Sequence, residues 1–251
     1  MKIITSTLLS STDSVTACFT TRHGGVSKPP YTSANLAFHV GDAVADVLSN
    51  HDRLAGILGY ERARLVHMRQ IHSDRIIAVD ETYGFDSPPE CDALITDRPS
   101  VALMVMSADC TPILLYDPQT RSIGAVHAGR AGALNAILPK TIEAMCFNYG
   151  SRIENIFVSM GPSIGGCCYE VNPAIAMETE AKGYADALRT KDEKVFLDVN
   201  TILLTQLTRM GIAKEQIELI GACTSCESDT YFSYRADKQH TGRIAGVIIL
   251  R

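Results

Sequence analysis

The chain has 251 residues, 46% apolar and 20% charged, an ordinary globular composition long enough to bury a core without cross-links. Its formal net charge of −5 gives no sign of the basic footprint that a nucleic-acid partner requires, so none is expected, while a small anionic substrate could still be held by local arginines. No apolar run reaches the ~18 residues of a membrane helix, so no membrane partner is expected.

Met1-Lys2-Ile3-Ile4 followed by Val15-Thr16-Ala17-Cys18 has the outline of a lipoprotein signal. The intervening Ser, Thr and Asp13 deny it a continuous apolar core, and the stretch reads instead as a first strand. The expected location is therefore cytoplasmic. There the eight cysteines (18, 91, 110, 146, 167, 168, 223 and 226) stay reduced, as core residues or as ligands.

In chain order, a strand near Thr16–Thr20 leads into a structured loop, Thr21-Arg22-His23-Gly24-Gly25 with Pro29-Pro30. Val44, Val47, Leu48, Leu54, Ala55 and Leu58 fall at helical spacing, and Gly59 sits where a C-cap belongs. Short strands are expected at Leu65–Met68 and Ile76–Val79. Val101–Ser107, Ile113–Tyr116 and Ser122–His127 read as three buried strands, the last two joined by the turn Asp117-Pro118-Gln119-Thr120. Ala128-Gly129-Arg130-Ala131-Gly132 then enters a helical stretch running to Gly150, with a kink or break expected at Pro139. A strand at Ile156–Met160 opens a glycine-rich loop, Gly161–Cys168. Helices follow at Pro173–Lys182 and Val199–Met210, and strands near Ile217–Ile220, Tyr231–Tyr234 and Ile244–Leu250. Successive strands without a regular βαβ beat argue for an α+β fold with a mixed sheet.

Three metal-competent residues sit at strand ends: His72, Cys110 and His127. Two imidazoles and a thiolate suit zinc, and three protein ligands leave the fourth position open for catalysis. The same atoms also read as a nucleophilic pair, with Cys110 attacking and His127 activating it. A metal site uses His72 as a third ligand, whereas a thiol hydrolase has no need of it. Cys223-x-x-Cys226 is the only CxxC, and a single pair lacks the second pair of a structural zinc site. His23 and His39 lie in glycine-containing loops suited to lining a pocket. No phosphate-binding glycine motif is present, although Gly161–Gly166 could offer backbone N–H groups to an anion. Arg22, Arg130, Arg235 and Arg243 near turns are the candidate anion contacts.

Eight segments, taken in order, resemble one known family. They are Phe19-Thr-Thr-Arg-His-Gly-Gly-Val-Ser, Asn35-Leu-Ala-Phe-His-Val-Gly-Asp, Gln70-Ile-His, Cys91-Asp-Ala-Leu-Ile-Thr, Ser107-Ala-Asp-Cys-Thr-Pro-Ile, His127-Ala-Gly, Gly161-Pro-Ser-Ile-Gly-Gly-Cys-Cys-Tyr-Glu-Val and Thr241-Gly-Arg. Together they resemble the YfiH-type laccase-domain proteins, once labelled multicopper polyphenol oxidoreductases.

The resemblance implies one α+β domain over residues 1–251, built of stacked mixed β-sheets flanked by helices. It implies zinc ligands at His72, Cys110 and His127. It also implies phosphorolysis of purine nucleosides (adenosine, guanosine, inosine and methylthioadenosine) to base and ribose 1-phosphate, with adenosine deamination as an associated activity. The older label implies copper and phenol oxidation instead, and a Cys–His hydrolase of cell-wall amides is a further alternative. On this reading Asp109 joins the catalytic set, as a proton shuttle or as a partner for a histidine ligand. Arg22, Asn35 and Arg130 are the expected contacts to nucleoside and phosphate.

The chain departs from the family pattern twice. His127-Ala-Gly-Arg130-Ala-Gly132 stands where the family usually reads His-x-Gly-Trp-Arg-Gly. Ser233-Tyr-Arg-Ala-Asp237 stands in place of Ser-Tyr-Arg-Arg-Asp. Both changes leave the metal ligands intact and bear on the substrate pocket.

Overall fold

The computed structural model describes residues 1–11 and 14–251; Asp13, which interrupts the N-terminal apolar stretch, lies outside the described residues. The described strands are β1 (Ile3–Thr5), β2 (Val15–Thr20), β3 (Leu65–His67), β4 (Ile76–Ala78), β5 (Ala93–Thr96), β6 (Ala102–Ser107), β7 (Thr111–Asp117), β8 (Ser122–Ala128), β9 (Phe157–Met160), β10 (Glu170–Val171), β11 (Leu188–Lys191), β12 (Lys194–Leu197), β13 (Ile217–Leu219) and β14 (Ile244–Leu250). The α-helices are α1 (Val44–Leu58), α2 (Arg130–Leu134), α3 (Ile137–Tyr149), α4 (Pro173–Ala181) and α5 (Val199–Met210).

The strands form a five-stranded sheet in the order β1-β2-β14-β6-β3 and a six-stranded sheet in the order β13-β9-β7-β8-β5-β4. Both are mixed: β3 runs parallel to β6, β4 to β5 and β13 to β9, while the other pairs are antiparallel. A small antiparallel sheet, β10-β12-β11, carries no apolar signal strong enough to have been expected from sequence.

The period-2 alternation of a strand explains how the layers stack. Leu103 and Val105 of β6 face Leu94, Leu114 and Ala125 of the second sheet in one cluster. Their neighbours Ala102, Met104 and Met106 face the other way, onto Leu54 and Leu58 of α1. On the far side of the six-stranded sheet, Ile113, Leu115 and Val126 pack against Leu138 and Ile142 of α3 and Ile202 of α5. The order is thus helix, sheet, sheet, helices. Strands buried on both faces read as continuous apolar runs, which is why β6, β7 and β8 stand out in the sequence.

Two expectations need correction. The break in the 130–150 helical stretch falls at Ala136 (φ 59°), before Pro139. Pro139 lies in the first turn of α3, where its missing N–H breaks no helical bond. Tyr231–Tyr234 is a loop rather than a strand; Tyr231, Phe232 and Ser233 are all buried, so no alternating face exists.

Gly161 and Gly246 make room for the fully buried ring of Phe19. A Cβ on Gly161 would lie 2.3 Å from Phe19 Cδ1, and one on Gly246 would lie 2.9 Å from its Cε1. Gly161→Ala is expected to destabilise the protein by about 1–3 kcal/mol, the usual range for overpacking, and Gly246→Ala by less. Urea unfolding reads this as a lower midpoint. An unchanged midpoint for Gly161→Ala would mean that the Phe19 ring can move aside.

Candidate metal centre

His72, Cys110 and His127 meet where three strand connections converge. Cys110 closes the turn between β6 and β7, a turn tightened by Asp109 in the left-handed region (φ 93°) and by a bond from Ser107 Oγ to the Cys110 carbonyl. His127 is the penultimate residue of β8. His72 projects from the loop after β3 with φ 57°. Gln70 secures that loop as a strand would, donating to Met106 O at 2.8 Å and accepting from Met106 N at 2.9 Å.

The ligand atoms of the three residues all lie within 4.8 Å of one another, and the two imidazole rings stand nearly perpendicular at 4.9 Å between centroids. Gly129 completes the cradle: a Cβ there would lie 2.9 Å from Cys110 Sγ and 3.3 Å from His72 Cδ2. His127 is buried, Cys110 partly so and His72 exposed, so the group opens through His72.

Asp92, with no solvent exposure, organises this set. It accepts from His127 Nδ1 at 2.9 Å, from the backbone N–H of His72 at 3.0 Å and of Ser73 at 2.6 Å, and from Ser73 Oγ at 2.8 Å. With Nδ1 committed to the carboxylate, Nε2 of His127 is the nitrogen left for a ligand.

Burial works against ionisation of Cys110. The charge of His127 and hydrogen bonds from both histidines outweigh it and hold the thiol down at about 6. Burial likewise opposes protonation of His127, but the Cys110 thiolate and Asp92 raise it to about 9. Desolvation would push Asp92 up, yet its bonds to His127 and Ser73 keep it at about 2. A thiolate and two imidazoles at this spacing fit zinc.

A cavity of about 590 Å³ lies over the centre, within the size range of small-molecule sites. Arg130, Arg235 and Arg243 line it, concentrating positive charge in an acidic chain. Arg235 lies 5.4 Å over the Tyr169 ring and donates to the carbonyls of Cys168 and Glu170. Arg243 lies 5.7 Å from the centre of the Tyr234 ring. Despite the altered turn, Arg130 reaches the cavity and pairs with Glu178 at 3.1 Å.

Three expectations are not met by this geometry. Arg22 does not line the cavity; it donates to Thr32 O and Tyr231 O and lies 4.7 Å over Phe232, holding a loop together. Asn35 is also away from the cavity, and its amide is consumed by Ala37, Asp42 and Arg243 N. Asp109 lines the cavity, but its carboxylate accepts from Thr224 Oγ1 and Arg235 N, both at 2.7 Å. The carboxylate that His127 Nδ1 meets is Asp92. His39 lines the cavity as expected, whereas His23 does not.

A family model described as multi-copper polyphenol oxidoreductase laccase matches residues 16–251. The chain belongs to this laccase-domain family. A protein of Corynebacterium glutamicum named purine nucleoside phosphorylase is 42% identical over 233 residues, covering 92% of this chain and 93% of that one. Among solved structures, the Bacillus licheniformis hypothetical protein YfiH superposes with a TM-score of 0.89 at 34% identity, covering 94% of this chain and 93% of that one. YlmD from Geobacillus stearothermophilus gives 0.89 at 32% identity, covering 95% and 93%. The laccase-domain fold expected from the eight segments is therefore the observed one.

Two outcomes follow from the Asp92–His127–Cys110 chain. In metal-stripped protein, alkylation of Cys110 rises as pH climbs through about 6, because only the thiolate reacts, and added zinc protects it. A midpoint near the ordinary thiol value of about 8.5 would remove the ion pair. Asp92→Asn is expected to weaken zinc binding about 10–100-fold, read by chelator competition.

Proposed function

We propose that this laccase-domain protein is a zinc-dependent purine nucleoside phosphorylase. The observation that carries the reading is the His72/Cys110/His127 cradle opening into an arginine-lined cavity. The names of relatives along almost the whole chain support it. Zinc held by these three residues would supply Lewis acidity toward an oxygen of phosphate or ribose.

The chain's own residues account for the rest. Arg235 and Arg243 hold the phosphate against the sugar face, and Arg130 adds charge from the start of α2. Burial and the neighbouring Arg243 lower the pKa of His39, keeping it neutral, so its ring offers both a donor and an acceptor to the purine. Tyr169 and Tyr234 are aromatic walls for the base. Phosphate oxygen bonds to C1′ as the C1′–N bond breaks; the base leaves with that electron pair and takes up a proton. The positive cavity stabilises the anionic charge carried through this exchange.

A second reading rests on one observation: Cys110, His127 and Asp92 stand in the order of nucleophile, base and orienting group. It leaves unexplained why His72 shares the thiol and why Gly129 keeps the space over it open. A multicopper relay is less well supported, because among the described residues the two ligand clusters are one His/Cys/His set and one all-cysteine set.

The deciding experiment is chromatography of the protein incubated with adenosine, with and without phosphate and a chelator. Adenine that requires phosphate and disappears on chelation is expected, and Cys110→Ala and His127→Ala each abolish it together with the zinc held at the His72/Cys110/His127 cradle. Inosine as the product would assign deamination instead. Turnover that survives chelation but is lost on alkylation of Cys110 would favour the hydrolase.

A further inference from the structure

We propose that Cys167, Cys168, Cys223 and Cys226 form a second metal site, a tetrathiolate that binds one zinc ion and clamps together two loops of the cavity wall. In sequence the Cys223-x-x-Cys226 pair stands alone. The fold brings the adjacent pair Cys167-Cys168 to it from the loop after β9, so the missing half of a four-cysteine site comes from about 55 residues away.

All four sulfurs lie within 4.8 Å of one another. Cys226 Sγ is 3.6 Å from Cys167 Sγ and 3.3 Å from Cys168 Sγ. Zinc–sulfur bonds of about 2.3 Å place the corners of a tetrahedron about 3.8 Å apart, so the cluster needs little adjustment to close on an ion. It is too compact for an iron–sulfur cube, whose thiolates sit on separate corners. A pair of disulfides would show two separate partnerships. Here Cys226 approaches two thiols at once and Cys223 completes the group.

The backbone prepares the site. Gly165 N–H donates to Cys223 Sγ at 3.3 Å, a bond that favours the thiolate. Ser163 bridges to Cys223, and Thr224 N donates to Ser163 O at 3.1 Å, setting the two loops side by side. Cys167 and Cys226 are exposed, which provides a route for the ion. Cys18 and Cys91 lie in a different setting: they are buried singly in the core, and desolvation pushes each thiol up to about 12.

The clamp has a consequence at the cavity. The Cys167 loop carries Ile164 and Tyr169, and the Cys223 loop leads to Tyr234 and Arg235; all four line the cavity. Between them run the bonds from Thr224 N to Ser163 O and from Gly165 N to Cys223 Sγ, and those from Arg235 to the carbonyls of Cys168 and Glu170. A metal across the loops fixes the spacing that these hydrogen bonds depend on.

The test is cobalt(II) and zinc titration of the reduced, metal-stripped full chain, with the metal counted by mass spectrometry. Wild type is expected to bind two ions. Cys110→Ala keeps all four cluster cysteines and is expected to bind one, with the intense sulfur-to-cobalt absorption of a four-thiolate site. Cys226→Ser is expected to bind one, with the weaker absorption of a single thiolate. A Cys110→Ala protein that binds no cobalt, or a Cys226→Ser protein that still binds two ions, would overturn the proposal. So would reduced wild type whose count stops at one, with the His/Cys/His spectrum. None of these readouts depends on nucleoside turnover, so failure of the second site and failure of the phosphorylase reading are separable.

Discussion

Asp92 is a carboxylate with no solvent contact, and a charge so placed persists only if donors replace its water. It finds them in the backbone N–H groups of His72 and Ser73, the Ser73 hydroxyl and the His127 imidazole. Two of these bonds act directly on the proposed ligands. One fixes the tautomer and direction of the His127 ring; the other helps hold His72 in a left-handed conformation that a residue with a Cβ does not adopt freely. The cost of burying the charge is therefore met by the same bonds that orient His127 and the His72 backbone. Preorganisation of this kind is what a metal site needs from the groups around it.

The sheets explain why this carboxylate can be so deep. Asp92 immediately precedes β5, beside β8 in the six-stranded sheet, and the His127 N–H donates to the Asp92 carbonyl at 2.7 Å. Backbone and side chain of one residue thus both address His127. Cys110 comes from the connection between the two stacked sheets, since β6 belongs to one and β7 to the other. His72 comes from a loop pinned to β6 through Gln70. The centre thus sits at a crossover of the two sheets, and any relative slip of the layers would separate the ligands. Filling the interlayer space without voids, as around Phe19, serves the site as well as stability.

Much of this was legible in the sequence, and the remainder was not for definite reasons. The strands β6, β7, β8 and β14 and the helices α1 and α5 announce themselves by period, because a doubly buried strand or an amphipathic helix has a pattern of its own. That His72, Cys110 and His127 come together was readable from residue types at strand ends and from their segments. Asp92 was present in a recognised segment, but only the fold shows that it meets His127, 35 positions away. Arg22 and Asn35 misled because they sit in equally recognisable segments whose work is to hold loops: a buried hydrogen-bonding residue and a ligand contact look alike in one dimension. The β10-β12-β11 sheet is short and largely polar, so it left little trace.

The cysteines carry this point to its end. Seven of the eight cysteines fall into three environments here, and local sequence separates none of them. Cys18 and Cys91 are enclosed by apolar side chains, where a thiolate has nothing to stabilise it, so they behave as small hydrophobes. Cys110 is also shielded, but two imidazoles face it, and their charge and hydrogen bonds outweigh desolvation. Cys167, Cys168, Cys223 and Cys226 face one another at the surface, where each thiolate formed would repel the next. Such a group is stable as four protonated thiols or as a chelate around a cation. The N–H bond to Cys223 already favours the anionic form of one member. An ion settles the balance for the other three, and in doing so ties the two loops that carry Tyr169 and Arg235 to the cavity.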